Sequence, residues 1–277
     1  MAFAPEVPHP SQSFRVIEES RAWIVVDKPA YVQVHPSKPG DEHTLWHRLR
    51  ELLAYELACG GQISFVNRLD RETSGLVLVA KTPAAAREFG RAMLRHAFSK
   101  SYLALVWGWP APDAWEVDAP ILRQGERLPS PIYLKRMVHP DGAPACSQFE
   151  VQARFEKDAS RFSLVRAIPR TGRTHQLRVH LAHSGHAVVG DKIYGPDERC
   201  YLEFIETGWT PSLAQRLLLP RHALHAAGLQ LAEAGLSWAA PLPADLQAFL
   251  DGGLIHARAG AGTQASPPDG GSVASGL

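Results

Sequence analysis

Asp70 stands between Arg68 and Arg71 in the stretch Val66–Lys81, VNRLDRETSGLVLVAK. Opposite charge nearby favours the ionised form of a carboxylate. An ionised carboxylate on a rigid support is a candidate nucleophile or base. For an arbitrary R-x-D-R the commoner outcome is a surface salt bridge. The residues that follow argue for more. Thr73, Ser74 and Gly75 form a turn cluster, and Leu76–Ala80 run apolar without a break to Lys81. This pattern predicts a buried strand with one acid held at its mouth.

Other chemistry-bearing residues cluster by charge. From Ala159 to Gly190 there is no Asp or Glu, while Arg161, Arg166, Arg170, Arg173 and Arg178 lie in the window with His175, His180, His183 and His186. Arg87, Arg91 and Arg95 recur every fourth residue and so share one helix face, which His96 and Lys100 extend. Two basic surfaces on a chain of net charge +1 suggest a local footprint for a polyanion such as RNA. His180 and His183 could share a helix face, but no Cys, Asp or Glu lies beside them to complete a metal site, and a phosphate-facing role suits them better. Gly172-Arg173-Thr174 is expected to open a helix and to offer backbone N–H groups to an anion. Asp191, in the loop GDKIYG, reads as a turn residue more readily than as a second catalytic carboxylate. Tyr102 is a core aromatic or a stacking platform for a base; spacing alone favours the core.

The elements that must position these residues follow from patterning. Phe14–Glu19 and Trp23–Asp27 read as paired strands, and Tyr31–Glu42 as a loop. Leu45–Leu57 has helical spacing with Thr44 as N-cap, and Ile63–Val66 is a short strand. Pro83 starts a helix to His96 with Thr82 as N-cap. Ser101–Trp109 is a strand. Pro110–Pro144, with seven prolines, is expected to be irregular and to wrap the surface or meet a partner. Ser147–Phe155 and Phe162–Ile168 pair as strands, Thr174–Ser184 is a helix, and Leu213–Leu219 and Leu242–Leu250 are short helices. His222–Glu233 and Leu236–Ala239 form a closing hairpin. Strands that mostly follow one another predict an α+β fold, with a mixed, largely antiparallel central sheet flanked by helices and loops. Residues 1–13 are expected to be a flexible arm, 14–256 one catalytic domain, and 257–277, which are low-complexity, a disordered tail.

Composition sets the remaining bounds. The 277 residues are 45% hydrophobic, enough for a sizeable core. Cys59, Cys146 and Cys200 are odd in number and far apart, so no disulfide framework or zinc spacing follows and a reducing cytoplasm is expected. The N-terminus lacks the basic and apolar regions of a signal peptide. No apolar run approaches the roughly 20 residues of a membrane span. Neither a dinucleotide-binding G-x-G-x-x-G nor a phosphate loop is present.

Taken in order, these segments resemble the RluA-type family of pseudouridine synthases over residues 14–250. FRVIEESRAWIVVDKPAYVQVHP resembles the family's opening hairpin and its D-K-P loop. VNRLDRETSGLVLVAK matches the catalytic H-R-L-D-x-x-T-S-G motif except at Asn67, which stands where the family has His. KSYLALVWG is similar to the segment with the active-site tyrosine, and TGRTHQLRVHLAHSGHAVVGDKIYG to the third motif. The resemblance implies isomerisation of uridine to pseudouridine in RNA, with neither cofactor nor metal; ribosomal or transfer RNA is the expected substrate and a monomer the expected state. The bond from nitrogen 1 of the base to the ribose breaks, the base rotates, and carbon 5 rejoins. It further implies Asp70 as the catalytic aspartate, Tyr102 stacked on the uracil, Arg178 paired with Asp70, and Arg68 beside the space left by a flipped nucleotide. Arg173, His175, Arg87, Arg91 and Arg95 are the expected RNA contacts. Asn67 can replace a histidine hydrogen bond but cannot titrate; the position is not the nucleophile, so activity is expected to survive. Only 13 residues precede the first expected strand, so recognition is assigned to the catalytic domain. The competing readings are a non-catalytic RNA-binding protein on the same fold and a hydrolase using Asp70 with Asp191.

Overall fold

The computed structural model describes residues 13–38 and 40–258. Its centre is strand β4, Ser74–Ala80, in which every residue is buried. The apolar run is unbroken because both faces of the strand are covered. On one face Leu76, Leu78 and Ala80 pack with Ala85, Phe89 and Ala92 of helix α3, Pro83–Leu94. On the other, Val77 and Val79 pack with Leu45, Leu49 and Leu53 from helix α1, Leu45–Leu52, and its end.

One sheet of 11 strands organises the fold. Its members include β1 (Arg15–Glu19), β2 (Trp23–Lys28), β3 (Ser64–Phe65), β5 (Phe98–Trp107), β6 (Ala114–Asp118), β9 (Cys146–Lys157), β10 (Ser160–Pro169), β11 (Leu224–Leu231), β12 (Leu236–Ala239) and β13 (Leu254–Arg258). The order is β1-β2-β4-β11-β5-β10-β9-β13, with β3 on β4, β12 on β11 and β6 on β9. Strand β4 runs parallel to β11 through His225↔Ser74 and Ala226↔Gly75, and the other pairings are antiparallel. The structure is therefore α+β with a mixed, mostly antiparallel sheet. A separate hairpin, β7 (Ile121–Arg123) with β8 (Arg136–Val138), packs Ile121 and nearby Ile132 against Val179, Ile193 and Tyr194. The remaining helices are α2 (Ala54–Ala58), α4 (Gln176–His183), α5 (Arg199–Thr207), α6 (Pro211–Leu217) and α7 (Ala244–Asp251). No helix among the described residues is long and apolar enough to cross a membrane.

Two glycines allow the site to close. Gly75 has φ +116, and a Cβ there would lie 2.3 Å from the Ala226 carbonyl oxygen. Gly190 has φ +77, and a Cβ would lie 1.9 Å from the Arg221 oxygen. Gly75 lets the start of β4 press against β11, and Gly190 lets the loop that carries Asp191 press against Arg221, just before β11.

Several boundaries differ from the sequence reading. The helix expected over 45–57 breaks at Leu53 (φ −100, ψ 23) into α1 and α2. The helix expected from Thr174 starts at Gln176, because His175 is left-handed (φ 58). The proline-rich segment 110–144 contains β6, β7 and β8 in place of irregular chain. Helix α5 and strand β13 lie where the sequence reading placed no element. Residues 1–12 of the expected arm and 259–277 of the expected tail lie outside the described residues.

Candidate active site

The loop from β3 to β4 carries Asp70, and a backbone turn closes it, with the Thr73 N–H donating to the Asp70 carbonyl at 3.1 Å. The Asp70 side chain is 32% exposed. Arg178, buried on α4, donates from Nη1 to Asp70 Oδ2 at 3.1 Å. The rest of its guanidinium is held by Asp191, with Nε to Oδ2 at 2.6 Å and Nη2 to Oδ1 at 2.8 Å. Asp191 Oδ1 also accepts the backbone N–H groups of Ile193 (3.0 Å) and Tyr194 (3.1 Å). Burial pushes the Asp191 carboxyl up, but Arg178 and these amides more than reverse that and leave it below its usual range. Asp191 is therefore a buried turn residue that fixes Arg178, not a second carboxylate facing substrate.

A cleft of about 740 Å³ opens over Asp70. Its walls bring together Asp70, Tyr102, Arg178, Arg68, Arg173 and His175, with Met93 and Lys100 beside them. Tyr102 is both a strand residue packed against the core and a cleft residue. Burial and the Asp70 charge raise its phenol pKa, so it is neutral at rest. Burial and Arg178 lower the His175 ring to about 4, so it too is neutral near pH 7.

The wider basic surface is less uniform than the sequence suggests. Arg87 and Arg91 on α3 and Arg95 at its C-cap are exposed but do not line the cleft, and Arg95 pairs with Glu233 at 2.8 Å. The acid-free window is answered across the β9–β10 ladder. Arg161 meets Glu156 and Arg166 meets Glu150, each at 3.3 Å. His180 is not phosphate-facing. It is buried, with Nδ1 on Ser147 Oγ (3.0 Å) and Nε2 on the Ala119 carbonyl (2.9 Å). His186 likewise bonds the Trp107 carbonyl at 3.0 Å. The Arg173 N–H expected to serve an anion donates to Gln176 Oε1 at 2.9 Å.

Sequence reasoning missed the supports beneath Asp70. Lys28 is fully buried, and its Nζ donates to the carbonyls of Pro29 (2.9 Å), Val32 (2.8 Å) and Arg71 (3.3 Å), tying two cleft loops together. Burial, aided by Arg221, lowers its pKa to about 7. Glu72 accepts from Lys192 Nζ at 2.8 Å, and Thr73 Oγ1 meets His222 Nε2 at 2.7 Å. Asn67 donates to the Leu76 carbonyl and accepts the Leu78 N–H, both at 2.9 Å, which pins the loop to β4. The D-K-P and G-D-K-I-Y-G motifs were the available signals for Lys28 and Lys192.

Residues 22–183 match the family described as RNA pseudouridylate synthase. A dual-specificity RNA pseudouridine synthase RluA of Vibrio parahaemolyticus is 32% identical over 66% of this chain and 70% of its own length. The chain belongs to the RluA-type pseudouridine synthase family. Another member of that family, the ribosomal large subunit pseudouridine synthase D of Nitrosomonas europaea, is 36% identical over 85% of this chain. The chain spans 64% of that relative's length. Among solved pseudouridine synthase structures, human RNA Pseudouridylate Synthase Domain Containing 1 superposes with a TM-score of 0.66 at 25% identity, covering 89% of this chain and 90% of the human one.

Proposed function

We propose that this protein is an RNA pseudouridine synthase that isomerises specific uridines of ribosomal or transfer RNA, in the cytoplasm, as a monomer, without a cofactor. The observation that carries the reading is the 3.1 Å contact between Arg178 Nη1 and Asp70 Oδ2 at the base of an open cleft. A buried arginine pairs with the carboxylate and orients it while part of it remains open to substrate. Asp70 then acts as nucleophile or as base when the nitrogen-1 glycosidic bond breaks. The detached uracil rotates and rejoins through carbon 5, which loses its proton as nitrogen 1 gains one. Tyr102 offers the ring on which the uracil stacks. The glycosidic bond of a stacked nucleotide is out of reach, so the target is flipped into the cleft, and Arg68, which lines the cleft, would stand beside the vacated space. Arg173, with the α3 arginines further out, would meet the backbone phosphates.

The test is pseudouridine mapping of total RNA from cells with and without the gene. The expected result is loss of pseudouridine at defined positions and its restoration by the wild-type gene. Identical maps would count against the proposal.

A further inference from the structure

His175 adopts a left-handed backbone conformation, φ 58 and ψ 15, at the start of α4, yet its side chain makes no capping bond there. Such a conformation costs a non-glycine residue about 1–3 kcal/mol and persists only where its surroundings enforce it. Here it turns the imidazole into the gap between Tyr194 and Asp70. Nδ1 lies 2.8 Å from Tyr194 Oη, and Nε2 lies 3.9 Å from Asp70 Oδ2.

The hydrogen bonds around Tyr194 settle which ring nitrogen carries the proton. The backbone N–H of Arg136 donates to Tyr194 Oη at 2.9 Å. Burial raises the Tyr194 pKa, so the phenol keeps its own proton. Among the described residues, the one group within hydrogen-bond distance of that oxygen that can accept its hydrogen is His175 Nδ1, at 2.8 Å. Nδ1 must then be bare, and a neutral imidazole with a bare Nδ1 carries its hydrogen on Nε2.

We infer that Tyr194 holds His175 as the neutral Nε2–H tautomer, so that His175 presents a hydrogen-bond donor to Asp70. Its use in turnover rests on the function proposed above. Arg178 Nη1 and His175 Nε2 both approach Oδ2 of Asp70, and no protein donor among the described residues bonds Oδ1. The two donors thus mark Oδ2 as the anchored oxygen and leave Oδ1 for the substrate. The 3.9 Å separation is longer than a hydrogen bond, and catalytic contacts that are loose without substrate tighten when it binds. His175 is a positioning residue acting through Asp70, and Tyr194 one acting through His175.

The tautomer is read directly by nitrogen-15 NMR of the full chain with labelled histidine at pH 7, assigning His175 as the signal missing from His175→Gln. The expected spectrum has a protonated-type Nε2 and an unprotonated-type Nδ1. A protonated Nδ1, alone or together with Nε2, would overturn the inference. In Tyr194→Phe, which lacks the phenol proton, part of the signal should move to the Nδ1–H form; an unchanged ratio would show that Tyr194 does not select it. In turnover, His175→Gln keeps an N–H donor and should recover most of the kcat that His175→Phe loses. His175→Phe should lose roughly tenfold to a hundredfold in kcat, the range for a hydrogen bond to a charged group, with little change in KM. Tyr194→Phe added to His175→Phe should cost nothing more. Wild-type kcat in a folded His175→Phe would overturn the positioning role. The NMR measurement is made on free protein, so a lack of isomerising activity would count against the proposed function and not against the tautomer.

Discussion

Asp191 grips Arg178 through both carboxylate oxygens, at 2.6 and 2.8 Å, and leaves Nη1 to reach Asp70. One buried cation thus joins two carboxylates of unequal kind. Asp191 is fully buried and Asp70 faces the cleft. The first sets the geometry that the second uses.

Asp191→Asn should therefore damage stability and turnover together. Removing one partner of a buried pair leaves the other charge uncompensated and costs about 3–5 kcal/mol. Arg178 would also lose the brace that aims Nη1. Urea denaturation and single-turnover kinetics on the same preparation check both effects. Unchanged stability would show that the grip contributes little.

Acid should destabilise the fold between pH 6.5 and 4. Burial lowers His175 and His225 from an ordinary 6.5 to about 4, and His222 lies well below its usual value through burial and the nearby Arg178. Across that window the unfolded chain binds protons that the folded chain refuses, so stability is present above 6.5 and falls as pH falls. The contribution is at most about 3 kcal/mol for each of His175 and His225. Denaturant midpoints measured across the window check the slope. His225→Asn, which retains a partner for Ser74 Oγ but cannot titrate, should flatten it.

RNA affinity should fall with salt, and the arginines should contribute unequally. Arg173→Gln removes a cleft-lining cation whose Nε bonds only the Pro144 carbonyl, and it should lower the slope of log affinity against log salt by about 0.7 for single-stranded RNA. Arg166→Gln removes a cation already answered by Glu150 and should leave the slope nearly unchanged. Equal effects in filter binding across a salt series would mean that the cross-strand pair does not neutralise Arg166.

In the proposed mechanism Asp70, Arg178 and Tyr102 supply the chemistry from side chains alone, so turnover should survive exhaustive EDTA treatment. Loss of activity, restored by a divalent ion, would require a different mechanism.

What could be read in advance followed from how local each signal was. The β4 run was legible because burial on both faces leaves an unbroken apolar string. Thr82 and Pro83 marked the start of α3 because capping chemistry is confined to one turn. The Asp70–Arg178 contact spans 108 residues, and it was expected through motif resemblance, not through spacing. The histidine-rich window misled because pairing is a property of the sheet. Glu150 and Glu156 lie outside the window in sequence and across the ladder from Arg166 and Arg161 in space. Nor could spacing reveal the supports below Asp70, since Thr73 and His222 are 149 residues apart. The Asp191 grip on Arg178 was hidden for a different reason. It depends on the turn at Gly190 and the backbone amides of Ile193 and Tyr194, which Asp191 alone does not announce.

The central claim is that Asp70 carries the chemistry while the surrounding surface carries the RNA. It is tested most directly by Asp70→Asn, which nearly preserves side-chain volume. Purified wild-type and variant protein would be incubated with RNA from cells lacking the gene, and pseudouridine formation and RNA binding measured in parallel. The account predicts no detectable pseudouridine from the variant and RNA affinity close to wild type. Pseudouridine formation at the wild-type rate would contradict it.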